Sequence, residues 1–290
     1  MYELIIGGCS GTNAPAHARP YFGHLTTSFG LLDRTIKQGI VIDNGTGVQV
    51  VAKEMLKAGV TKTTILQTHC HLDHTEGLQL NSLLFGKTLQ EIIAPDFEGM
   101  RPFPNIFAER FNPSAWPVCP ETFGIKHHFS LFKAPLGLKI NGNVWVNTLN
   151  LSHPGGAVAY RFDIAGGIVI ATDNELANDD FRRKFADFVS GATLLVADCQ
   201  YTDGEYEGKV ALGGQFLSHV GWGHSTPLML AETLKHCRLT PKEVWLTHHD
   251  PSRTDNELKC FERMANDYLR CKIAIPIPNH ALALAPQFGI

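Results

Sequence analysis

The stretch His69-Cys70-His71-Leu72-Asp73-His74 places three imidazoles and one carboxylate within six residues. It follows an apolar, strand-like segment at 63–68 and precedes a segment, 76–84, that is predicted to be helical. Imidazole nitrogen and carboxylate oxygen are ligands of divalent metals such as Zn²⁺. At a turn between a strand and a helix, His69 and His71 can face one position while Asp73 and His74 face a second. The spacing therefore predicts two adjacent metal ions.

Three later segments offer further ligands at the ends of apolar runs. They are Leu151-Ser152-His153-Pro154-Gly155-Gly156, Ile170-Ala171-Thr172-Asp173-Asn174-Glu175 and Trp245-Leu246-Thr247-His248-His249-Asp250-Pro251. The ordered set resembles the metallo-β-lactamase superfamily, whose HxHxDH motif is followed by a His, a bridging Asp and a final His. The resemblance implies an α/β fold, a four-layer αββα sandwich.

The resemblance also implies which residues bind which metal. One metal is expected to take His69, His71 and His153, the other Asp73, His74 and a C-terminal His, with Asp173 bridging them. The alignment of Leu246-Thr247-His248 with the strand-then-His pattern of the family favours His248 for the last position, with His249 as the alternative. Two divalent ions are expected, Zn²⁺ first, although Mn²⁺ or Fe also suits mixed nitrogen and oxygen ligands.

Asp43 follows a predicted strand and is expected to support the metal histidines from behind, as the corresponding residue does in the resembled family. A second feature of the N-terminal part is the loop at 9–15, rich in small residues. Its backbone N–H groups either approach an anion or form a plain turn. Thr46 or Asn44 is the candidate cap of the helix that follows Gly47.

The chemistry is indicated by Gly221-Trp222-Gly223-His224-Ser225-Thr226, which resembles the His-Ser-Thr motif of the ribonuclease Z-like phosphodiesterase branch. A hydroxide shared by two metals attacks phosphodiesters, lactones, thioesters and β-lactams alike. The alkoxide that leaves a phosphodiester is strongly basic, so a positioned acid speeds its departure. The resemblance implies His224 as that general acid, paired with Asp198 or, as the alternative, Glu175. Asp73 is counted with the catalytic residues as well as with the ligands.

The expected substrate is a small phosphodiester, most simply a cyclic nucleotide. Ribonuclease Z enzymes that process transfer RNA carry a long arm between the third His and the bridging Asp, and the interval 154–172 has no room for one. The formal net charge is −3, without a Lys/Arg stripe, so no long nucleic acid is expected. A lactonase or thioesterase, a nuclease that processes RNA 3′ ends and a non-catalytic nucleotide sensor remain alternatives.

An irregular segment at about 95–135 combines prolines with aromatic residues. Irregular segments of this length are usually functional. Three roles are open for this segment. It forms one wall of the pocket, with Phe103, Phe107 or Trp116 stacking on a base; it forms a subunit interface; or it packs as an ordinary loop. Together with the apolar tail at 273–290, it makes a homodimer the expected assembly.

The bulk properties predict one domain over residues 1–290, because no linker interrupts a ligand set that runs from 69 to 248. The seven cysteines show no CxxC spacing, which favours reduced thiols over a disulfide framework. No leader-like N-terminus and no apolar run of about 20 residues is found, so we expect no membrane segment. The predicted location is the cytoplasm.

Overall fold

Two seven-stranded sheets carry the fold of the computed structural model, which describes residues 2–86, 88–141, 144–269, 271–278 and 281–284. The strands of the first half are β1 (Tyr2–Gly8), β2 (Ser28–Asp33), β3 (Gln38–Ile42), β4 (Lys62–Leu66), β5 (Leu89–Pro95) and β6 (His128–Phe132). Those of the second half are β7 (Gly137–Ile140), β8 (Val144–Leu151), β9 (Ala157–Phe162), β10 (Ile168–Ala171), β11 (Leu194–Asp198), β12 (Glu243–Thr247) and β13 (Lys272–Ala274). A last strand, β14 (Ala281–Ala283), returns to the first sheet.

Each sheet combines an antiparallel and a parallel part. The first has the order β14-β1-β2-β3-β4-β5-β6, and its pairs from β3 to β6 are parallel. The second has the order β13-β12-β11-β10-β9-β8-β7, and its pairs from β10 to β13 are parallel. In such sheets, ligands bind outside the carboxyl ends of the parallel strands. The topology therefore gives each sheet an edge suited to a functional site.

The helices cover the outer faces of the two sheets. The α-helices are α1 (Val48–Lys57), α2 (Phe103–Arg110), α3 (Asp179–Val189), α4 (Asp203–Tyr206), α5 (Pro227–Leu234) and α6 (Asp255–Tyr268). Side-chain caps begin four of them: Asn178 accepts from the N–H of Phe181, and Thr202, Thr226 and Thr254 cap α4, α5 and α6. Such caps satisfy N–H groups that have no partner within the helix.

Three buried clusters show that the layers are stacked helix, sheet, sheet, helix. Val51 of α1 and Phe103 of α2 pack on one face of the first sheet. Phe29 and Tyr160 belong to a cluster drawn from both sheets, which therefore face each other. Phe261 of α6 packs with α3, α5 and the outer face of the second sheet. The predicted αββα sandwich is confirmed.

Two local predictions are wrong. Residues 76–84 do not form one α-helix; they contain the 3₁₀ helices Leu78–Leu80 and Ser82–Phe85. The side chain of Asn81 accepts from the N–H of Leu83 and donates to Asn44, and side-chain bonds of this kind compete with a continuous helix. Thr46 does not cap α1, because its hydroxyl accepts from the N–H of Thr26, and Asn44 binds Gln67 instead.

The segment at 95–135 is more regular than predicted. It holds α2, the 3₁₀ helix Pro120–Phe123 and the parallel edge strand β6. The described part of the C-terminal tail packs on the body of the protein, since β14 pairs with β1. Residues 279–280 and 285–290 of that tail lie outside the described residues. None of the helices in the described ranges has both the length and the apolar character needed to cross a bilayer.

Candidate metal centre

The turn at 69–74 lies directly beyond the carboxyl end of β4, and its last residues, Leu72–His74, form a 3₁₀ helix. Four other strands end at the same place. β8, β10, β11 and β12 lead into His153, Asp173, Asp198 and His248, respectively. The structure thus brings together residues from five separated segments of the sequence.

The first group of candidate ligands is His69, His71 and His153, whose donor atoms lie within 4.8 Å of one another. Nε2 of His153 is 3.0 Å from Nδ1 of His71. Burial lowers the pKa of His153 to about 4, and it holds the pKa of His69 well below the ordinary value. Both rings are therefore neutral, which is the form that binds metal. His71 is exposed and opens this group to solvent.

The second group is Asp73, His74, Asp173 and His248, all buried, with donor atoms within 4.8 Å of one another. Nε2 of His248 lies 3.0 Å from Asp73 Oδ2 and 3.1 Å from Asp173 Oδ1. Nε2 of His74 lies 3.0 Å from Asp173 Oδ2. Asp173 also reaches the first group, since its Oδ1 is 3.7 Å from Nε2 of His69. Its carboxylate therefore lies between the two groups, where the sequence predicts a bridging ligand.

The outward nitrogens of two of these imidazoles bond to groups outside the centre. Nδ1 of His153 bonds to the carbonyl of Gly223 at 3.0 Å, and Nδ1 of His248 lies 3.3 Å from Oε1 of Gln200. Among the described residues, Nε2 of His69, Nε2 of His74 and Oδ2 of Asp173 are buried without a hydrogen bond. Unsatisfied buried atoms are costly, and these point at one another.

Electrostatics favour the same interpretation. Burial acts to lower the pKa of His248, but the carboxylates of Asp173 and Asp73 outweigh it and raise that pKa to about 10. The carboxylates of this second group thus stabilise a positive charge within a buried site. Imidazoles beside buried carboxylates form a donor set that divalent metals bind. The residues present therefore fit metal ions.

Asp43 lies behind the centre, where the sequence predicts a supporting residue. Its Oδ2 is 2.7 Å from Nδ1 of His74 and 2.7 Å from the hydroxyl of Thr68, and its Oδ1 accepts from the N–H of Thr68. Asp43, Asp173 and His248 have φ values of 61°, 58° and 60°. Left-handed backbone costs a non-glycine residue roughly 1–3 kcal/mol and occurs preferentially at functional sites.

The loop at 9–15 does approach an anion, and that anion belongs to the chain itself. The N–H of Thr12 donates to Oδ2 of Asp73 at 2.7 Å. Its hydroxyl accepts from Gln200, the residue that also contacts His248. Gly11 lies against the His248 ring so closely that a Cβ there would be 2.3 Å from Nδ1. The loop thus holds one carboxylate and one imidazole of the second group in position.

His224 and Asp198 form a pair beside the two groups. Nδ1 of His224 lies 2.7 Å from Oδ2 of Asp198. Asp198 also accepts from the N–H of Ser225 at 2.8 Å and from that of Asp173 at 3.1 Å. The His224 ring stacks on that of His248 with centroids 4.6 Å apart. Glu175, the alternative partner, binds backbone N–H groups and the hydroxyl of Tyr206 instead.

Comparison with known proteins identifies the fold. The sequence matches no protein-family model and no curated protein. The crystal structure of YhfI from Bacillus subtilis, a metallo-β-lactamase fold protein, is 15% identical and superposes with a TM-score of 0.65 over 98% of this chain and all of that one. The chain has the metallo-β-lactamase fold.

Two other crystal structures with this fold are similar. A diphosphatase from the PhnP family is 16% identical, with a TM-score of 0.64 and coverage of 98% of each chain. Unliganded yeast PDE1 is 16% identical, with a TM-score of 0.63 over 97% of this chain and 99% of that one. Because these sequence identities are low, the similarity establishes the fold alone. The metallo-β-lactamase fold extends over nearly the whole chain.

Within this metallo-β-lactamase fold, the two C-terminal histidines have different surroundings. His248 belongs to the second ligand group, whereas His249 points away and lies 6.2 Å from the ring of Phe261. Burial and the nearby guanidinium groups of Arg19 and Arg253 lower the pKa of His249 to about 3. Neither of its ring nitrogens bonds to a described residue. The geometry therefore favours His248 over His249 as the candidate ligand.

A cavity of about 270 Å³ opens beside His69 and His71. Phe97, Met100 and Ile106 supply much of its apolar lining. The predicted stacking role of Phe103 is wrong, because its side chain is fully buried in the cluster beneath α2. Phe107 is buried in that cluster as well, and Trp116 packs against it; among the described residues, none of these aromatics lines the cavity.

Proposed function

We propose that the chain is a metal-dependent phosphodiesterase that hydrolyses a small phosphodiester, most simply a cyclic nucleotide. The observation that carries this proposal is the His224–Asp198 pair at 2.7 Å. The thiolate of a thioester leaves without such an acid, whereas the basic alkoxide that departs from phosphorus needs one. The names of two structures with the same fold, a diphosphatase and yeast PDE1, add support.

His224 acts as the general acid. Asp198 holds Nδ1, and the N–H groups of Ser225 and Asp173 hold Asp198 in turn. Stacking on His248 limits rotation of the ring. Nε2 of His224 makes no hydrogen bond to a described residue, and this ring has a donor atom within 4.8 Å of donor atoms of His153 and Asp173. The proton is thus held beside the site where the leaving oxygen departs.

The two ligand groups would hold two divalent cations, Zn²⁺ first and Mn²⁺ or Fe as the alternatives. His69, His71 and His153 would bind one, and Asp73, His74 and His248 the other, with Asp173 between them. When bound, such cations activate a water and neutralise phosphate oxygens. The protein's own part is to keep the imidazoles of the first group neutral, orient the carboxylates and supply the proton.

The cavity and the surface charge favour a small substrate. A cavity of about 270 Å³ suits a small molecule rather than a polymer. β9 and β10 occupy the interval between His153 and Asp173, so no arm extends there. The formal net charge of −3 offers no excess of cations for a long phosphate backbone.

The test is a turnover screen of metal-loaded protein on cyclic nucleotides, linear dinucleotides, a precursor transfer RNA and lactones. We expect cyclic nucleotides to be cleaved best, and His224→Ala to slow them by about 100-fold or more. Faster turnover of lactones, or unchanged turnover of cyclic nucleotides by His224→Ala, would refute the proposal. Preferential cleavage of the precursor RNA would assign the site to RNA processing.

A further inference from the structure

Glu175 is a buried carboxylate that the proposed reaction does not use. It follows Asp173 by two residues and is 7% exposed. Its Oε1 accepts from the N–H of Gly221 at 2.8 Å and its Oε2 accepts from the N–H of Gly223 at 3.1 Å. The hydroxyl of Tyr206 donates to Oε1 as well. One side chain thus binds three donors, two of which belong to the backbone that leads directly into His224.

The same backbone contacts a candidate metal ligand. The carbonyl of Gly223 accepts from Nδ1 of His153 at 3.0 Å. Gly223 has a φ of +89°, and a Cβ at this position would lie 2.2 Å from Nδ1 of His153. The N–H of Glu175 itself donates to the carbonyl of Ser152, next to His153. Glu175 therefore joins the segment that carries the acid to the segment that carries a ligand.

The chain before Gly223 is anchored at the buried His219, whose N–H donates to the carbonyl of Tyr206 and whose Nδ1 lies 2.8 Å from the carbonyl oxygen of Glu205. Phe216 is 74% exposed and Val220 is 59% exposed, so this part of the loop gains little from apolar burial. Hydrogen bonds from N–H groups to a carboxylate are about twice as strong as those between neutral groups. Asp198 fixes His224 and Ser225, and the clamp of Glu175 on Gly221 and Gly223 fixes the backbone that leads into them.

We propose that Glu175 is a positioning residue that sets where the His224 imidazole lies relative to the metal ligands, and so controls proton delivery to the leaving group. The inference rests on the proposed phosphodiesterase function. Glu175 acts through His224, and its effect should therefore appear only with substrates that need the acid. A misplacement of about 1 Å can cost roughly 100-fold in rate.

The central experiment uses Glu175→Gln, which keeps the size of the side chain but offers one carbonyl oxygen to two N–H groups. We expect kcat on a cyclic nucleotide to fall by about 10- to 100-fold, with little change in KM. Turnover of bis(p-nitrophenyl) phosphate, whose leaving group needs no acid, should change by less than about 3-fold. Metal content, measured by mass spectrometry, should equal that of the unmodified protein.

Two further variants make the result specific. Tyr206→Phe removes only one donor to Glu175 and should give a smaller loss with the same selectivity; it decides the matter if Glu175→Gln does not fold. Glu232→Gln makes the same chemical change on the surface, where Glu232 pairs with Lys235, and should change neither rate. In a His224→Ala background, Glu175→Gln should cause little additional loss.

Equal slowing of both substrates by Glu175→Gln, loss of metal, or an undiminished effect in the His224→Ala background would each overturn the inference. These outcomes differ from a failure of the proposed function. If the proposed function is wrong, His224→Ala should slow the turnover of a cyclic nucleotide no more than that of bis(p-nitrophenyl) phosphate. If His224→Ala distinguishes them and neither Glu175→Gln nor Tyr206→Phe does, only the role of Glu175 is wrong.

Discussion

Oδ2 of Asp43 lies 2.7 Å from Nδ1 of His74, and both side chains are completely buried. The same oxygen binds the hydroxyl of Thr68, which lies 3.1 Å from Nδ1 of His69. One carboxylate thereby orients two imidazoles, one from each ligand group. In each ring the outward nitrogen is engaged, so the lone pair of the inward nitrogen is directed at the centre.

Asp43→Asn should weaken metal binding without removing a ligand. The amide can still bond to Thr68, but it carries no negative charge. It therefore cannot accept from His74 and at the same time raise the basicity of the His74 imidazole. We expect affinity to fall by about 10- to 100-fold, as is usual for outer partners of metal ligands. Competition with a chromophoric chelator measures this, and Asp163→Asn at an exposed position is the matched control. An unchanged affinity would show that Asp43 has only a packing role.

Replacement of the two adjacent histidines should give opposite results. His248→Ala removes a donor from the second group, and we expect the protein to lose about half of its bound metal. His249→Leu removes two buried nitrogens that bond to no described residue, so metal content and activity should stay near those of the unmodified protein. Metal analysis of the purified variants distinguishes the two. If His249→Leu loses metal and His248→Ala does not, His249 rather than His248 is the ligand.

Substitution of two phenylalanines that are close in sequence should affect substrate binding in one case and stability in the other. Phe97 lines the cavity beside His71, so Phe97→Ala should raise KM for a cyclic nucleotide by about 10-fold, the loss of one stacked ring. Phe103 lies in the core, and Phe103→Ala should lower the free energy of unfolding by about 3–5 kcal/mol. Activity per folded molecule should then be nearly unchanged. Urea unfolding and steady-state kinetics on both variants check the contrast.

The candidate metal ligands can be predicted from the sequence because their residue types and spacing are themselves chemical requirements. His69, His71, Asp73 and His74 lie on one turn, and the later ligands each follow an apolar run that ends at the same edge. Gln200, Thr68 and Glu175 have no such signature. Each is a single polar residue whose role depends on which strand ends become neighbours, and that information is absent from local sequence.

The aromatic residues show a different limit. Phe103, Phe107 and Phe111 recur at intervals of four residues, the spacing of one helix face, and all three are buried. That periodicity was the available signal for a core helix within the segment at 95–135. Nothing comparable marks Phe97, which lies in the turn after β5 and reaches the cavity only because that strand ends beside His69.

The buried Arg253–Glu205 pair should make stability depend on pH, independently of the metal centre. Nη1 of Arg253 lies 3.1 Å from Oε1 of Glu205. Burial acts to raise the pKa of Glu205, but the hydrogen bonds and charge of Arg253 outweigh it, so that pKa lies below its ordinary value of 4.5. A lowered carboxyl pKa contributes stability that is complete above about pH 4.5 and is lost as the pH falls through the folded-state value.

Glu205→Gln should therefore cost about 3–5 kcal/mol at neutral pH, because it leaves the guanidinium of Arg253 buried without its counter-charge. The difference between the variant and the unmodified protein should shrink as the pH falls from about 4.5, where Glu205 becomes protonated in the unfolded chain, through the lower pKa of the folded state, where it becomes protonated there as well. Urea unfolding at several pH values, with metal removed from both proteins, measures it. Glu3→Gln breaks an exposed pair with Arg34 and should cost less than about 1 kcal/mol. A difference that does not depend on pH would mean that Glu205 stabilises the fold by packing rather than by its charge.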